Sequence, residues 1–158
     1  MIFSLQNKNA LITGAGSGIG KATALLFAAQ KATVHVVDLN EEAANQTVYE
    51  IKENGGDAYA HTIDVTKQQD VMSVFTQINI IDILVNSAGI SHIGKADTTS
   101  EEDFERILNV NVKGVYNCLH AAIPLMKQNN GGVILNMSSV AAVVGLPDRF
   151  AYSMSKGA

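Results

Sequence analysis

The sequence predicts an α/β protein built on a doubly wound parallel sheet. Three observations carry that prediction. Short apolar runs alternate with segments of helical period along the whole chain. Some of the short runs are apolar at nearly every position, which suits strands covered on both faces. The first of them passes directly through a glycine cluster into the first helical segment.

Taken in order, residues 10–13 read as a buried strand and, after the glycine turn, residues 22–30 repeat apolar side chains at helical spacing. Residues 34–38 form the second strand, and a charged helix over 41–54 follows, ended by Gly55-Gly56. A third strand over 58–62, a helix over 67–78 and a fourth strand over 81–85 come next. Ser100 then supplies an N-cap, and Glu101, Glu102 and Asp103 an acidic first turn, for one long helix reaching about Lys127. Residues 132–137 make the fifth strand, and a last helix begins near Asp148.

The 158 residues suit one domain, 1–158, able to bury roughly 70% of the surface of its unfolded chain. With 47% hydrophobic residues and only two prolines, the composition is that of a folded protein. A formal net charge of −4 gives no reason to expect nucleic acid or an anionic membrane as partner. The single cysteine, Cys118, lies in an apolar stretch and cannot close an internal disulfide, which suggests a reducing compartment. Met1 to Gln6 lack a basic region followed by a long apolar run, and no segment has the ~18 apolar residues of a membrane helix, so cytoplasm is expected.

The turn Gly14-Ala15-Gly16-Ser17-Gly18-Ile19-Gly20 sits between the first strand and first helix, where amide groups and the helix dipole can hold a pyrophosphate. Its spacing is not G-x-G-x-x-G, because Ile19 occupies the last place, and an ordinary tight turn is the competing reading. Asp38 ends the second strand about 20 residues further on, where a carboxylate accepts hydrogen bonds from ribose hydroxyls and repels a 2′-phosphate. Neither Ser17 nor Leu39 supplies the cation a 2′-phosphate needs, and Lys21 is already within the helix. NAD is therefore expected over NADP, while the plainer reading of Asp38 is a turn residue ahead of the next helix.

Tyr152 and Lys156 stand four apart, hence on one face of a helix. A free tyrosine has a pKa near 10, and a neighbouring cation lowers it toward a value useful for proton transfer. His35, His61, His92 and His120 have no partner at metal-ligand spacing, so no metal is expected. His92 and Ile93, just after Ala88-Gly89, stand where they could border a substrate.

Together these segments resemble the short-chain dehydrogenase/reductase family over essentially the whole length. Thr13-Gly14-x-x-x-Gly18-x-Gly20 matches its cofactor turn, Asp64-Val65 its adenine-side motif and Asn86-Ser87-Ala88-Gly89 its N-N-A-G. Asn109-Val110-Asn111 matches its catalytic asparagine segment, and Ser139 with Tyr152 and Lys156 its serine and Y-x-x-x-K. The resemblance implies a Rossmann-like sheet of strand order 3-2-1-4-5. It further implies a cofactor held by Gly14, Ser17, Gly18, Ile19 and Gly20, by Asp38 and Leu39, by Asp64 and Val65, by Asn86, Ala88 and Gly89, and by Tyr152 and Lys156.

By the same resemblance, Tyr152 exchanges a proton with a substrate oxygen while hydride passes between carbinol carbon and nicotinamide. Ser139 hydrogen-bonds that oxygen, Lys156 binds the nicotinamide ribose, and Asn111 holds a water joining the lysine to solvent. Duller readings stay open: Ser138 or Ser139 as a loop hydroxyl, and Asn111 as a residue bonding backbone.

Two departures from the family stand out. Ser87 replaces the second asparagine of N-N-A-G, and the chain stops at Ala158, where members usually continue through two more strands. A helix ended there is short, and the fifth strand lies at an uncovered edge, so a fragment of a longer protein is expected. The function expected is NAD-dependent hydride transfer to or from a secondary alcohol or ketone, of sugar, polyol or 3-oxoacyl type. A homodimer or homotetramer is implied by resemblance. The alternative is a dinucleotide-binding module without catalysis, or an inactive fragment.

Overall fold

A computed structural model describes residues 3–158; Met1 and Ile2, part of the N-terminal segment read above for a leader, lie outside them. Five strands, β1 (Asn9–Thr13), β2 (Thr33–Asp38), β3 (Asp57–Thr62), β4 (Ile83–Asn86) and β5 (Val133–Asn136), form a single sheet in the order β3-β2-β1-β4-β5. Every neighbouring pair is parallel, with Leu11 opposite His35 on one side and Leu84 on the other. The doubly wound parallel sheet and its 3-2-1-4-5 order are as expected.

The helices are α1 (Gly18–Ala29), α2 (Glu41–Glu53), α3 (Gln68–Ile78), α4 (Glu101–Leu108), α5 (Gly114–Gln128) and α6 (Phe150–Gly157). The period-2 alternation of the strands sorts the core into two layers. Ala10, Ile12, Val34 and Val36 point one way and pack with Ala24 and Ala28 of α1 and Val48 and Ile51 of α2. Leu11, Val37 and Leu84 point the other way, onto Val71 and Phe75 of α3 and Cys118, Ala122 and Met126 of α5. Phe75 is fully buried, and burial of such a side chain contributes roughly 1.5–3 kcal/mol.

Capping follows the sequence closely. α2 ends in a Schellman arrangement, in which Gly55 donates to Lys52 and Gly56 to Ile51, with Gly55 at φ +74°. The Ser100 hydroxyl accepts from the Asp103 amide at 3.1 Å and donates to the Asp103 carboxylate at 3.0 Å, starting α4.

Three expectations need correction. α1 starts at Gly18, within the glycine turn rather than after it. β4 spans Ile83–Asn86 rather than 81–85; Ile81 is buried but precedes the ladder. The long helix expected from Ser100 to Lys127 is two helices joined by a π-helical turn, Asn109–Lys113. The turn is held wide where Asn111 bonds outside its own helix and Gly114 packs on Val65; a Cβ at Gly114 would lie 2.8 Å from Val65 Cγ2.

Candidate functional site: a cleft at the carboxyl ends of the strands

The strands of the parallel sheet end on one side around a cleft of about 480 Å³. It lies where strand order reverses between β1 and β4, the place where open α/β sheets bind ligands. The β1–α1 turn forms its floor. Gly14 stands at φ +66°, and a Cβ there would lie 2.8 Å from Ala88 Cα, so the turn and the loop after β4 touch backbone to backbone. Gly16 donates its amide to Asp38 Oδ2 at 2.8 Å, and Asp38 Oδ1 accepts the amide of Asn40 at 3.0 Å.

α1 begins at this floor with Ser17 in extended conformation, no side-chain cap and no acidic residue in its first turn. Its leading amides therefore have no protein acceptor from a capping side chain, and its dipole is uncompensated: an anion seat. Lys21, in the first turn of α1, reaches to Glu50 of α2 at 2.7 Å and does not line the cleft. That hydrogen bond, with a second from Gln46, holds the Glu50 carboxyl below its ordinary range.

At the end of the cleft beside the glycine turn stand Asp38, Leu39, Asp64 and Val65. Ile19 and Leu39 are 65% and 71% exposed, apolar groups left on the rim. Asp64 Oδ1 accepts from both the amide and the hydroxyl of Thr66, and the Val65 carbonyl accepts from the buried Asn117 amide at 2.8 Å. At the far end the cleft reaches Ser138, Tyr152 and Lys156. Lys156 Nζ lies 5.9 Å from the centroid of the Tyr152 ring and donates to the Met137 carbonyl at 2.9 Å.

Most residues expected to contact a cofactor thus line a single cleft: Gly14, Ser17, Gly18, Ile19, Gly20, Asp38, Leu39, Asp64, Val65, Ala88, Gly89, Tyr152 and Lys156. Asn86, Asn111 and Ser139 are not among its lining residues. Asn86 is buried and donates to Asn136 Oδ1 at 2.8 Å, joining the tips of β4 and β5. Asn111 brackets Ile90, accepting from its amide and donating to its carbonyl. Ser139 accepts from the Ala141 amide, capping a 3-10 turn (Val140–Ala142), while its neighbour Ser138 donates to the Lys156 carbonyl at 2.9 Å.

Sequence reasoning missed two contributors. Thr13 Oγ1 accepts from the amides of Ser87 and Ala88, both at 3.1 Å, and so fastens the loop after β4 to β1. Its place before Gly14 at a strand end was the available signal. Ser155 bonds Asn111 at 2.9 Å, a contact between distant segments that no local pattern announces.

The four histidines are dispersed. His35 Nδ1 and His61 Nε2 meet at 3.0 Å, His92 Nδ1 lies 3.9 Å from Asp103, and His120 sits beside the Tyr116 ring. Among the described residues no group of three or more His, Cys, Asp or Glu could hold a metal ion. No helix of the described residues is long and apolar enough to cross a membrane.

Comparison with known proteins agrees with this geometry. A family model described as short chain dehydrogenase matches residues 8–158. An uncharacterized oxidoreductase of Thermotoga maritima is 46% identical over 98% of this chain and 62% of its own length. A 7α-hydroxysteroid dehydrogenase solved with NADH and 7-oxo glycochenodeoxycholic acid superposes with a TM-score of 0.92 at 38% identity, over 98% of this chain and 62% of the other. A Beutenbergia cavernae structure with bound NADP superposes with a TM-score of 0.93 at 29% identity, over 98% of this chain and 63% of the other. The chain thus spans about 62% of the length of the first of these relatives.

Proposed function

This chain belongs to the short-chain dehydrogenase family, and from that premise we propose that it forms the dinucleotide-binding catalytic domain of an NAD-dependent oxidoreductase acting on a secondary alcohol or ketone. The observation that carries the proposal is the single cleft that joins the glycine turn and Asp38 at one end to Tyr152 and Lys156 at the other.

The residues present fit a nicotinamide dinucleotide. Nothing lies within 4 Å of where a Gly18 Cβ would stand, so the backbone is open beside the uncapped first turn of α1, where a pyrophosphate would sit. Asp38 presents a carboxylate to a ribose and disfavours a 2′-phosphate. Lys21 is engaged by Glu50, so it does not offset that repulsion. NAD is the cofactor this arrangement favours, although the family includes structures with NADH and with NADP. Asp64 and Val65 would flank the adenine; Ala88 and Gly89 would back the second ribose.

When bound, the nicotinamide supplies the hydride donor or acceptor. The chain's own residues do the rest. Tyr152 gives its phenolic proton to a carbonyl oxygen during reduction, or takes one from a hydroxyl during oxidation. Ser139 donates a hydrogen bond to that oxygen as charge develops on it. Lys156, whose Nζ donates to the Met137 carbonyl here, would hold the ribose hydroxyls, and Asn111 braces the loop after β4 through Ile90. Sugar, polyol and 3-oxoacyl substrates are the classes proposed, handled by a homo-oligomer in the cytoplasm. Tyr116 and Ile123, exposed on α5, offer apolar area for a subunit contact.

Titration with NAD and NADP, followed by an assay over polyols, sugars, steroids and ketoacyl thioesters, tests the proposal. Preferential NAD binding with turnover of one class is expected. Tight NAD binding with no turnover would instead favour a non-catalytic module.

A further inference from the structure

Ser155 precedes Lys156 on α6 and is only 4% exposed. Its hydroxyl donates to the Tyr152 carbonyl at 2.8 Å. Such a bond back along a helix is common for serine and has little meaning alone. The second bond is different in kind. Asn111, 5% exposed in the π-helical turn, donates Nδ2–H to Ser155 Oγ at 2.9 Å. The other Nδ2 proton goes to the Ile90 carbonyl at 2.9 Å, and Asn111 Oδ1 accepts the Ile90 amide at 2.8 Å. One buried amide therefore ties together the loop after β4, the π turn and the middle of α6.

We propose that Ser155 is a positioning residue: through Asn111 it fixes the rotation of α6 about its own axis, and with it the aim of Tyr152 and Lys156. The inference rests on the proton-transfer role given above to Tyr152. α6 spans Phe150–Gly157 in this chain. Its start is held by the Phe150 amide on the Gly94 carbonyl and by the Phe104–Phe150 stack, and its end by Ser138 on the Lys156 carbonyl. These contacts fix the ends, whereas Ser155 lies on the same face as Tyr152, three residues on.

The leverage is large. A Cα sits about 2.3 Å from a helix axis and a tyrosine hydroxyl about 6 Å further out, so a 10° rotation of α6 displaces that oxygen by roughly 1.5 Å. Misplacement of about 1 Å in a reacting group can cost on the order of 100-fold in rate. Contacts to adenosine and pyrophosphate lie at the other end of the cleft and do not feel such a rotation.

The test compares the parent with Ser155→Ala and Ser155→Thr. It measures kcat, the Kd for NAD by titration, and amide hydrogen exchange across residues 150–157. For Ser155→Ala we expect kcat to fall about tenfold or more, Kd for NAD to rise by a smaller factor than kcat falls, and α6 amides to exchange about tenfold faster. Ser155→Thr retains the hydroxyl and should recover kcat to within about threefold. Parental kcat in Ser155→Ala, or equal loss in both variants at parental Tm, overturns the proposal. If the parent itself turns over no alcohol or ketone, the dehydrogenase reading fails separately. The tie through Ser155 is then decided by exchange alone, and unchanged α6 exchange in Ser155→Ala overturns it.

Discussion

Asp38 Oδ2 accepts the amide of Gly16 at 2.8 Å, so the carboxylate that ends β2 and the turn that ends β1 are one hydrogen-bonded unit. A Cβ at Gly16 would lie 2.8 Å from that same oxygen, which explains the extra glycine in the turn. The carboxylate also holds the Asn40 amide and so sets the entry to α2. One side chain thereby braces the glycine turn and the entry to α2, at the end of the cleft where the dinucleotide is proposed to sit.

Replacing Asp38 with Ala should therefore do two things. Kd for NAD should rise about 10- to 100-fold, as expected for losing hydrogen bonds to a charged group, and the preference for NAD over NADP should shrink at least tenfold. Fluorescence titration with both dinucleotides reads this. Unchanged discrimination would remove Asp38 from cofactor choice.

Gly20→Ala should be poorly tolerated. Its Cβ would overlap the Gly14 carbonyl, which is backbone and cannot yield as a side chain would. We expect a loss of about 1–3 kcal/mol in urea unfolding together with weaker NAD binding. Parental stability in the variant would show that the turn is softer than its geometry implies.

His35 and His61 should make folding sensitive to acid. Burial is the main cause pushing His35 down to about 4, with His61 adding to it, and burial lowers His61 as well. The native state then binds fewer protons than the unfolded chain, whose histidines titrate near 6.5. Stability is fully present above about pH 6.5 and is lost as pH falls toward about 4. Urea midpoints between pH 7.5 and 4 should decline over that window and decline less in His35→Gln. A slope identical in both proteins would assign the effect elsewhere.

Cys118 should be nearly inert in the folded protein, because burial pushes its thiol up to about 12. Alkylation at pH 8 should run more than about 100-fold slower than in denaturant, from the smaller thiolate fraction alone. Rapid labelling of the native protein would mean that the α3–α5 layer opens readily.

Much of the fold was legible because it rests on local signals. The apolar run of β1, the Gly55-Gly56 stop and the Ser100 cap each act within a few residues, and the structure has each of them in place, while β4 begins two residues later than its apolar run. The break in the long helix was not legible. It depends on Asn111 reaching Ile90 and Gly114 meeting Val65, partners that only the folded topology brings near. The same reason hid Thr13 and Ser155. That the glycine turn, Asp38 and Asp64 share one end of the cleft could be read from spacing, because these residues lie on turns with fixed geometry. Ser139 and Asn86 could be named from their motifs, but their bonds to Ala141 and Asn136 could not.

The central claim is that Tyr152 moves the proton while the glycine turn and Asp38 hold the dinucleotide. Replacing Tyr152 with Phe removes one oxygen at the far end of the cleft and leaves the adenosine end untouched. Turnover of the parent's substrate, measured as NADH appearance or loss, should fall by at least about 100-fold, while Kd for NAD stays within about threefold of the parent. Turnover persisting at the parental level in Tyr152→Phe would contradict the account.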